Sequence, residues 1–145
     1  MRPAFLFGVV LAGLWPLPSI GSAAASVPAV QGVATYVFDG DTLAIGDVRV
    51  RLYGVDAPEL STAVGPHARR ALADLVRGQW VRCWHVGQAK SHGRLVARCA
   101  AGEAADLGRE LVAQGWAMDY PRFSRGEYRA QEASARLRGR GMFAR

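Results

Sequence analysis

Between residues 48 and 53 apolar and polar side chains alternate strictly, with Val48, Val50 and Leu52 interleaved by Arg49, Arg51 and Tyr53. A period of two belongs to a strand with one buried face, so the arginines stand opposite the aliphatic residues and neither is forced into a core. Two strands are predicted before it. Residues 33–38 run to a turn at Asp39-Gly40-Asp41, residues 42–45 form the second strand, and Gly46-Asp47 turns the chain back as a hairpin.

The period then lengthens. Ala68, Ala71, Leu72, Leu75 and Val76 recur at helical spacing, with Pro66 suited to a first turn and Gly78 to a stop. Strands over 80–86 and 95–100 follow, carrying Cys83 and Cys99. Asp106 is the expected N-cap of a short helix through Leu107, Leu111 and Val112, closed by Gly115. A last helix, from about 126 to 138, is expected to turn Tyr128, Ala133 and Leu137 inward and Arg129, Arg136 and Arg138 outward, with Met142 and Phe143 packing back. This order of elements predicts an α+β domain, a five-stranded barrel with about three helices around it.

The first residues stand apart from that domain. Arg2, an apolar run from Ala4 to Trp15 and small residues ending Ala23-Ala24-Ala25 predict an export signal cleaved near Ala25. The run is shorter than the ~20 residues of a spanning helix, so a retained anchor is the weaker reading. Residues 26–32 are then a short lead-in and 33–145 one domain, a periplasmic or secreted monomer without stable membrane insertion. Losing residues 1–25 leaves 17 basic against 12 acidic side chains, a net of +5, and Lys90 is the only lysine. A basic domain suits a polyanion such as nucleic acid, although an arginine-rich coding composition gives the same balance. Cys83 and Cys99, the only cysteines, allow one pairing in an oxidising compartment. Closing a loop of about 15 residues would stabilise the fold by roughly 3 kcal/mol. Two buried thiols are the alternative, because a sequence does not supply the Cα separation.

Chemistry concentrates in residues 39–59. Asp41 ends a turn and Asp56 follows a strand, so both carboxylates leave the sheet at one rim and can converge. Together with a loop carbonyl near Ala57 and water they make a loose all-oxygen site of the kind that suits Ca2+. Zinc is not expected, since His67, His85 and His92 lack ligand spacing and the cysteines lie on strands. Glu59 is oriented by Pro58 before it, Arg51 lies on the adjoining strand, and Arg94 follows Gly93 in a second turn. An acid beside a metal with two arginines is a set for attacking a phosphodiester: water is activated near an anion while ionised guanidinium forks meet the growing phosphoryl charge.

The strings D-G-D-T-L at 39–43, V-R-L-Y-G-V-D-A-P-E at 50–59, G-P-H-A-R-R-A-L at 65–72, G-R-L-V-A at 93–97 and D-L-G-R-E-L-V-A-Q-G-W-A at 106–117 resemble the staphylococcal nuclease (thermonuclease) family. The resemblance covers roughly residues 30–143. It implies an SNase-like OB-fold barrel and Ca2+-dependent hydrolysis of DNA and RNA. Carried over by motif position, Asp41 and Asp56 would be the metal carboxylates and Ala57 would offer its carbonyl. Glu59 would position or deprotonate the attacking water, and Arg51 and Arg94 would clamp the phosphate. The pattern departs at Ala57, where the family often has threonine, and at His67, where a glutamate is frequent. It departs again at Lys90-Ser91-His92, where an aspartate and then a tyrosine commonly precede the glycine. The alternative reading is a non-catalytic OB-fold module that binds single-stranded nucleic acid through Tyr53, Tyr120 and Phe123 with Arg122 and Arg125, or an envelope interaction domain.

Overall fold

The computed structural model describes residues 26–145, excluding the side chains of residues 88–91. The expected export signal, 1–25, lies outside the described residues, as do the side chains of Lys90 and Ser91. Five strands close a barrel: β1 (Val30–Val37), β2 (Thr42–Ile45), β3 (Val48–Leu52), β5 (Trp80–Ser91) and β6 (Arg94–Ala101), hydrogen-bonded in the order β1-β2-β3-β6-β5. Pairing of Val30 with Cys83 through Val33 with Trp80 seals β1 to β5. All neighbours are antiparallel except β3 and β6, which run parallel with Val50 beside Leu95 and Leu52 beside Ala97. The five-stranded OB-type barrel expected from the alternating strands is therefore present.

Its interior follows from the period of two. Leu43, Val50, Leu52, Val81 and Ala97 are buried inside, while Arg49 on β3 is exposed and Arg51 half-buried on the outer face. Helix α1 (Gly65–Val76) lays Ala68, Leu72 and Val76 on the core, and α2 (Leu107–Ala113) adds Leu107, Leu111 and Val112. Burying each leucine or valine among them contributes about 1.5–3 kcal/mol. Asp106 caps α2 as its sequence predicts, its carboxylate accepting from the Arg109 N–H at 3.2 Å. Cys83 and Cys99 are register partners on β5 and β6, with Cα atoms 4.1 Å apart, and form a disulfide. That separation settles the question the two cysteines left open.

Elements too short to show a period complete the fold. β4 (Val55–Asp56) pairs with β7 (Met118–Asp119) as a two-residue ribbon, and α3 (Pro121–Ser124) is a single turn. Helix α4 (Arg129–Leu137) corrects one expectation. Tyr128 is buried as expected, but Ala133 is exposed and Leu137 is 89% exposed, whereas Ala135 is fully buried. At 3.6 residues per turn a position seven beyond Tyr128 returns to its face and one nine beyond lies opposite, so helical phase overrides the hydrophobicity of Leu137. The Met142 N–H donates to the Gly115 carbonyl at 2.9 Å, holding the last turn against the end of α2. Among the described residues no helix is long and apolar enough to cross a membrane.

Candidate active site

Asp41 lies at the start of β2 and is nearly buried, and its carboxylate is held from three sides. Its Oδ2 accepts from the Ala57 backbone N–H at 2.8 Å and faces Arg51 Nη1 at 2.9 Å, and its Oδ1 accepts from the Thr42 hydroxyl at 3.0 Å. The other nitrogen of the same guanidinium, Nη2, lies 3.5 Å from Asp56 Oδ1. One arginine on the outer face of β3 thus gathers both aspartates predicted from the sequence, and a backbone hydrogen bond adds Ala57. The turn reaches this position only because residue 40 lacks a side chain. A Cβ there would lie 2.7 Å from the Cβ atoms of both Ala57 and Ala68, far inside contact distance.

The electrostatics of Asp41 are not balanced. Burial pushes its pKa up to about 7; Arg51 and the Ala57 N–H oppose the rise, and the nearby Asp39 reinforces it. A carboxylate that stays hard to ionise beside an arginine is short of positive charge.

Glu59 is exposed on the turn that leads to α1. Its carbonyl accepts from the Thr62 N–H at 2.9 Å and from the Thr62 hydroxyl at 2.8 Å, which fixes the turn and leaves the carboxylate toward solvent. Gly65 is required here: a Cβ on it would sit 2.0 Å from the Glu59 carbonyl oxygen. Arg94 begins β6 immediately after a two-residue hairpin turn, His92-Gly93, in which both residues have positive φ.

Arg51 and Arg94 line one cleft of about 430 Å³ together with His92, Tyr53, Tyr120 and Phe123. The rings expected to serve a binding module therefore share a cleft with Arg51 and Arg94, the two arginines expected to clamp a phosphate. Tyr120 and Phe123 meet edge to face at 4.9 Å and are 36% and 47% exposed, so they are surface rings and not core. Tyr53 donates its hydroxyl to the Phe123 carbonyl and lies under the Arg98 guanidinium at 4.8 Å. The β4–β7 ribbon brings this about: Asp56 pairs with Met118, and the Tyr120 N–H donates to the Gly54 carbonyl at 2.9 Å. Of the two flanking arginines named with these rings, Arg122 lies over Phe123 at 5.8 Å and Arg125 ends α3 in the left-handed region. His67, without a functional reading, stacks on Trp116 at 5.8 Å, away from the cleft. Sequence reasoning assigned no part to Thr42 or Gly40, although both stand inside the D-G-D-T-L string that signalled the site.

The fold and rim together define an OB-type barrel in which two aspartates meet Arg51 beside a cleft lined by Arg51, Arg94 and three aromatic rings. Residues 49–145 match the family described as staphylococcal nuclease homologue, and the chain belongs to that family. It is 31% identical over 147 residues to the succinoglycan biosynthesis protein ExoI of Rhizobium meliloti (strain 1021), covering 94% of this chain and 74% of that protein. It is 31% identical over 114 residues to an uncharacterized endonuclease of Haemophilus influenzae, covering 74% of this chain and 63% of the relative. A shorter stretch of 64 residues is 42% identical to a micrococcal nuclease of Shigella flexneri, covering 39% of this chain and 37% of that protein.

Proposed function

We propose that this protein is an exported, Ca2+-dependent endonuclease that hydrolyses phosphodiester bonds of DNA, RNA or both with weak sequence preference, acting as a monomer. The observation that carries the reading is the Arg51 guanidinium, which holds Asp41 and Asp56 together and lines, with Arg94, the same cleft as three aromatic rings. The donor set at the rim is all oxygen, the chemistry of a hard cation, and Asp41 is a buried acid whose neighbours compensate it only in part. Asp41, Asp56 and the Ala57 carbonyl would hold Ca2+. When bound, the ion supplies positive charge to a phosphate oxygen and to the water beside it.

The remaining roles belong to side chains. Arg51 and Arg94 clamp the phosphate with charge-assisted hydrogen bonds that strengthen as charge builds on its equatorial oxygens. Glu59 takes a proton from the attacking water as its oxygen bonds to phosphorus; the bond from phosphorus to the sugar oxygen breaks, and that oxygen takes up a proton from solvent. Tyr53, Tyr120 and Phe123 stack the neighbouring bases, and because every base has a π face such stacking selects weakly among sequences. Export is supported by the signal-like first 25 residues and by the disulfide, which persists in oxidising compartments such as the periplasm or the medium.

The test is cleavage of single-stranded DNA, duplex DNA and RNA by purified protein lacking residues 1–25, with Ca2+, with Mg2+ and with chelator, beside Glu59→Ala. Cleavage should require Ca2+ and fall roughly 10²–10⁴-fold in the mutant, whose fold is unchanged. Cleavage that survives chelation overturns the metal dependence, and near-wild-type cleavage by Glu59→Ala overturns the assigned base. Binding of single strands without cleavage would favour the non-catalytic module, the reading that the exposed Tyr120 and Phe123 rings also support.

A further inference from the structure

Carboxylates neutralise several surface arginines of this protein. Arg98 and Arg109 pair with Glu127, Arg136 with Glu132, and Arg77 with Asp74. Arg49 and Arg69 are held by rings instead. The Arg49 guanidinium carbon lies 3.7 Å from the centre of the Phe38 ring. Arg69 donates from Nε to the Val37 carbonyl at 2.9 Å and from Nη2 to the Tyr36 hydroxyl at 3.2 Å, with its guanidinium 5.3 Å from the Tyr36 ring centre. The two rings meet edge to face at 4.8 Å. Among the described residues no carboxylate pairs with Arg49 or Arg69, the exposed Asp47 of the adjoining turn included. A ring fixes the direction of a cation without cancelling its charge. Two positive groups are therefore oriented and left uncompensated.

The backbone accounts for the grouping. Register moves from Ala34 opposite Ile45 to Tyr36 opposite Ala44, so β1 carries a bulge at Thr35. The bulge leaves Thr35 and Tyr36 both outward, with Tyr36 51% exposed. Ala44 in turn pairs with Arg49, so Tyr36 and Arg49 flank one small, covered side chain on the outer face. Arg51 lies two residues beyond Arg49 on the same strand face, about 6.6 Å away along the strand. At the other end Arg69 borders a shallow groove of about 840 Å³ along α1, lined also by Leu60, Pro66, Arg70 and Arg77, and Leu60 directly follows Glu59. A basic, aromatic surface thus runs from the proposed cleavage site across β3, β2 and β1 to α1.

We propose that Tyr36, Phe38, Arg49 and Arg69 form an accessory surface that binds single-stranded polynucleotide beyond the cleaved bond, continuing along α1 past Arg70. The position of that bond rests on the nuclease reading. The strand's phosphates meet the two guanidinium groups, and an unpaired base stacks on the open face of Tyr36, which a paired base in a duplex does not reach.

The experiment measures binding by fluorescence anisotropy in chelator, where nothing is cleaved, across a salt series. The probes are a labelled trinucleotide and an oligothymidylate of about 16 nucleotides, the upper site size of one OB-fold. In the double variant Arg49→Gln/Arg69→Gln the long strand should bind about tenfold more weakly, with a salt slope shallower by about 1.4, the loss of two single-strand phosphate contacts. Binding and Ca2+-dependent cleavage of the trinucleotide should not change, and Arg49→Lys/Arg69→Lys should restore the slope. Wild-type affinity and slope in the Gln variant overturn the proposal, and equal weakening on a duplex of the same length overturns the single-strand assignment. If the wild-type protein binds the long strand and the variant loses it while neither cleaves, the surface stands and the nuclease reading falls. Should the double variant unfold, Arg49→Gln alone carries the test with half the change in slope, because Arg49 packs on the face of one ring.

Discussion

Arg51 stands between Asp41 and Asp56 at the rim of the barrel, and Arg98 stands between Asp106 and Glu127 where β6 meets α2 and α4. The residue types are the same and the electrostatics are opposite. Around Arg98 each group has a complement: the Tyr128 hydroxyl donates to Asp106 at 2.9 Å, Arg98 donates to that hydroxyl at 3.0 Å, and Glu127 closes on Arg98 from the other side. Hydrogen bonding to Glu127 holds the Arg98 proton more firmly than usual, and the same bond pulls the Glu127 pKa down. Both charged forms are stabilised. At the rim the central carboxylate moves the other way, with burial lifting Asp41 to about 7 in spite of its arginine. A cluster that lowers the energy of its own charges is complete as a scaffold, whereas the rim leaves its central carboxylate in deficit, the property on which the proposed Ca2+ site relies.

The sharpest way to break this comparison is to change both arginines to lysine. Arg51→Lys keeps a positive charge beside Asp41 but loses the planar fork, so kcat should fall roughly 10²–10³-fold with little change in thermal unfolding. Arg98→Lys should lower stability by about 1 kcal/mol and leave kcat on a short substrate unchanged. Equal losses of rate in the two variants would sink the distinction.

Asp41→Asn probes the deficit itself. The amide oxygen can still accept from the Ala57 N–H while its NH2 turns to the Thr42 hydroxyl oxygen, and the side chain carries no charge. A calcium titration of cleavage should shift upward by about 10–100-fold. Unfolding in chelator should not become easier, because a costly buried charge has been removed. A variant with an unchanged calcium titration would remove Asp41 from the metal site.

The two clusters also differ in how far the chain announced them. The rim was legible because its acids and arginines lie in short strings whose strand period and turns are local, from Asp39 to Glu59 and again at Gly93-Arg94. The barrel was legible for the same reason, since alternation over five residues of β3 states which face is inward. The cleft wall was legible only in part: Tyr53, Tyr120 and Phe123 group as one surface in the sequence, but nothing there joins them to Arg51 and Arg94. Tyr120 and Phe123 reach it through β4 and β7, two residues each, too short to carry a period, and through one backbone bond to Gly54. Hydrophobicity at Leu137 points to the wrong face of α4, because helical phase decides that Ala135 is inward and Leu137 outward. The cap at Asp106 is a local feature that the sequence carries, but its contact with Tyr128 spans 22 residues and Arg98 meets Glu127 across 29, which no local pattern reports. The disulfide stayed open until a Cα separation existed.

Within the Arg98 cluster, Tyr128→Phe sharpens the comparison at smaller scale. The ring is fully buried and its volume is kept, so only the hydroxyl is lost. Asp106 retains Arg98 at 3.4 Å and the Arg109 N–H. Denaturant unfolding should show a loss of about 1–2 kcal/mol while cleavage and its calcium dependence stay as they were. A fall in kcat without a fall in stability would place this network in the catalytic machinery.

The last test is a pair of opposing slopes against pH, and the Glu127 slope is the smallest effect expected. Glu127 has a folded-state pKa below its ordinary 4.5, chiefly through the hydrogen bond from Arg98. Its contribution is therefore complete above about pH 4.5 and is lost as pH falls through the depressed value. Both partners are a third exposed, so solvent screening keeps the contribution to about 0.5 kcal/mol or less. Asp41 has the opposite sign. With a folded-state pKa raised from 3.8 to about 7, the folded protein in chelator binds more protons than the unfolded chain across that interval, and stability falls as pH rises through it. Denaturant midpoints measured in chelator from about pH 3 to pH 8 separate the two. Glu127→Gln should soften only the loss of stability at the acid end, and Asp41→Asn should remove only the decline toward neutrality. If the two substitutions bend the curve in the same direction, the contrast between a satisfied cluster and a deficient one is wrong.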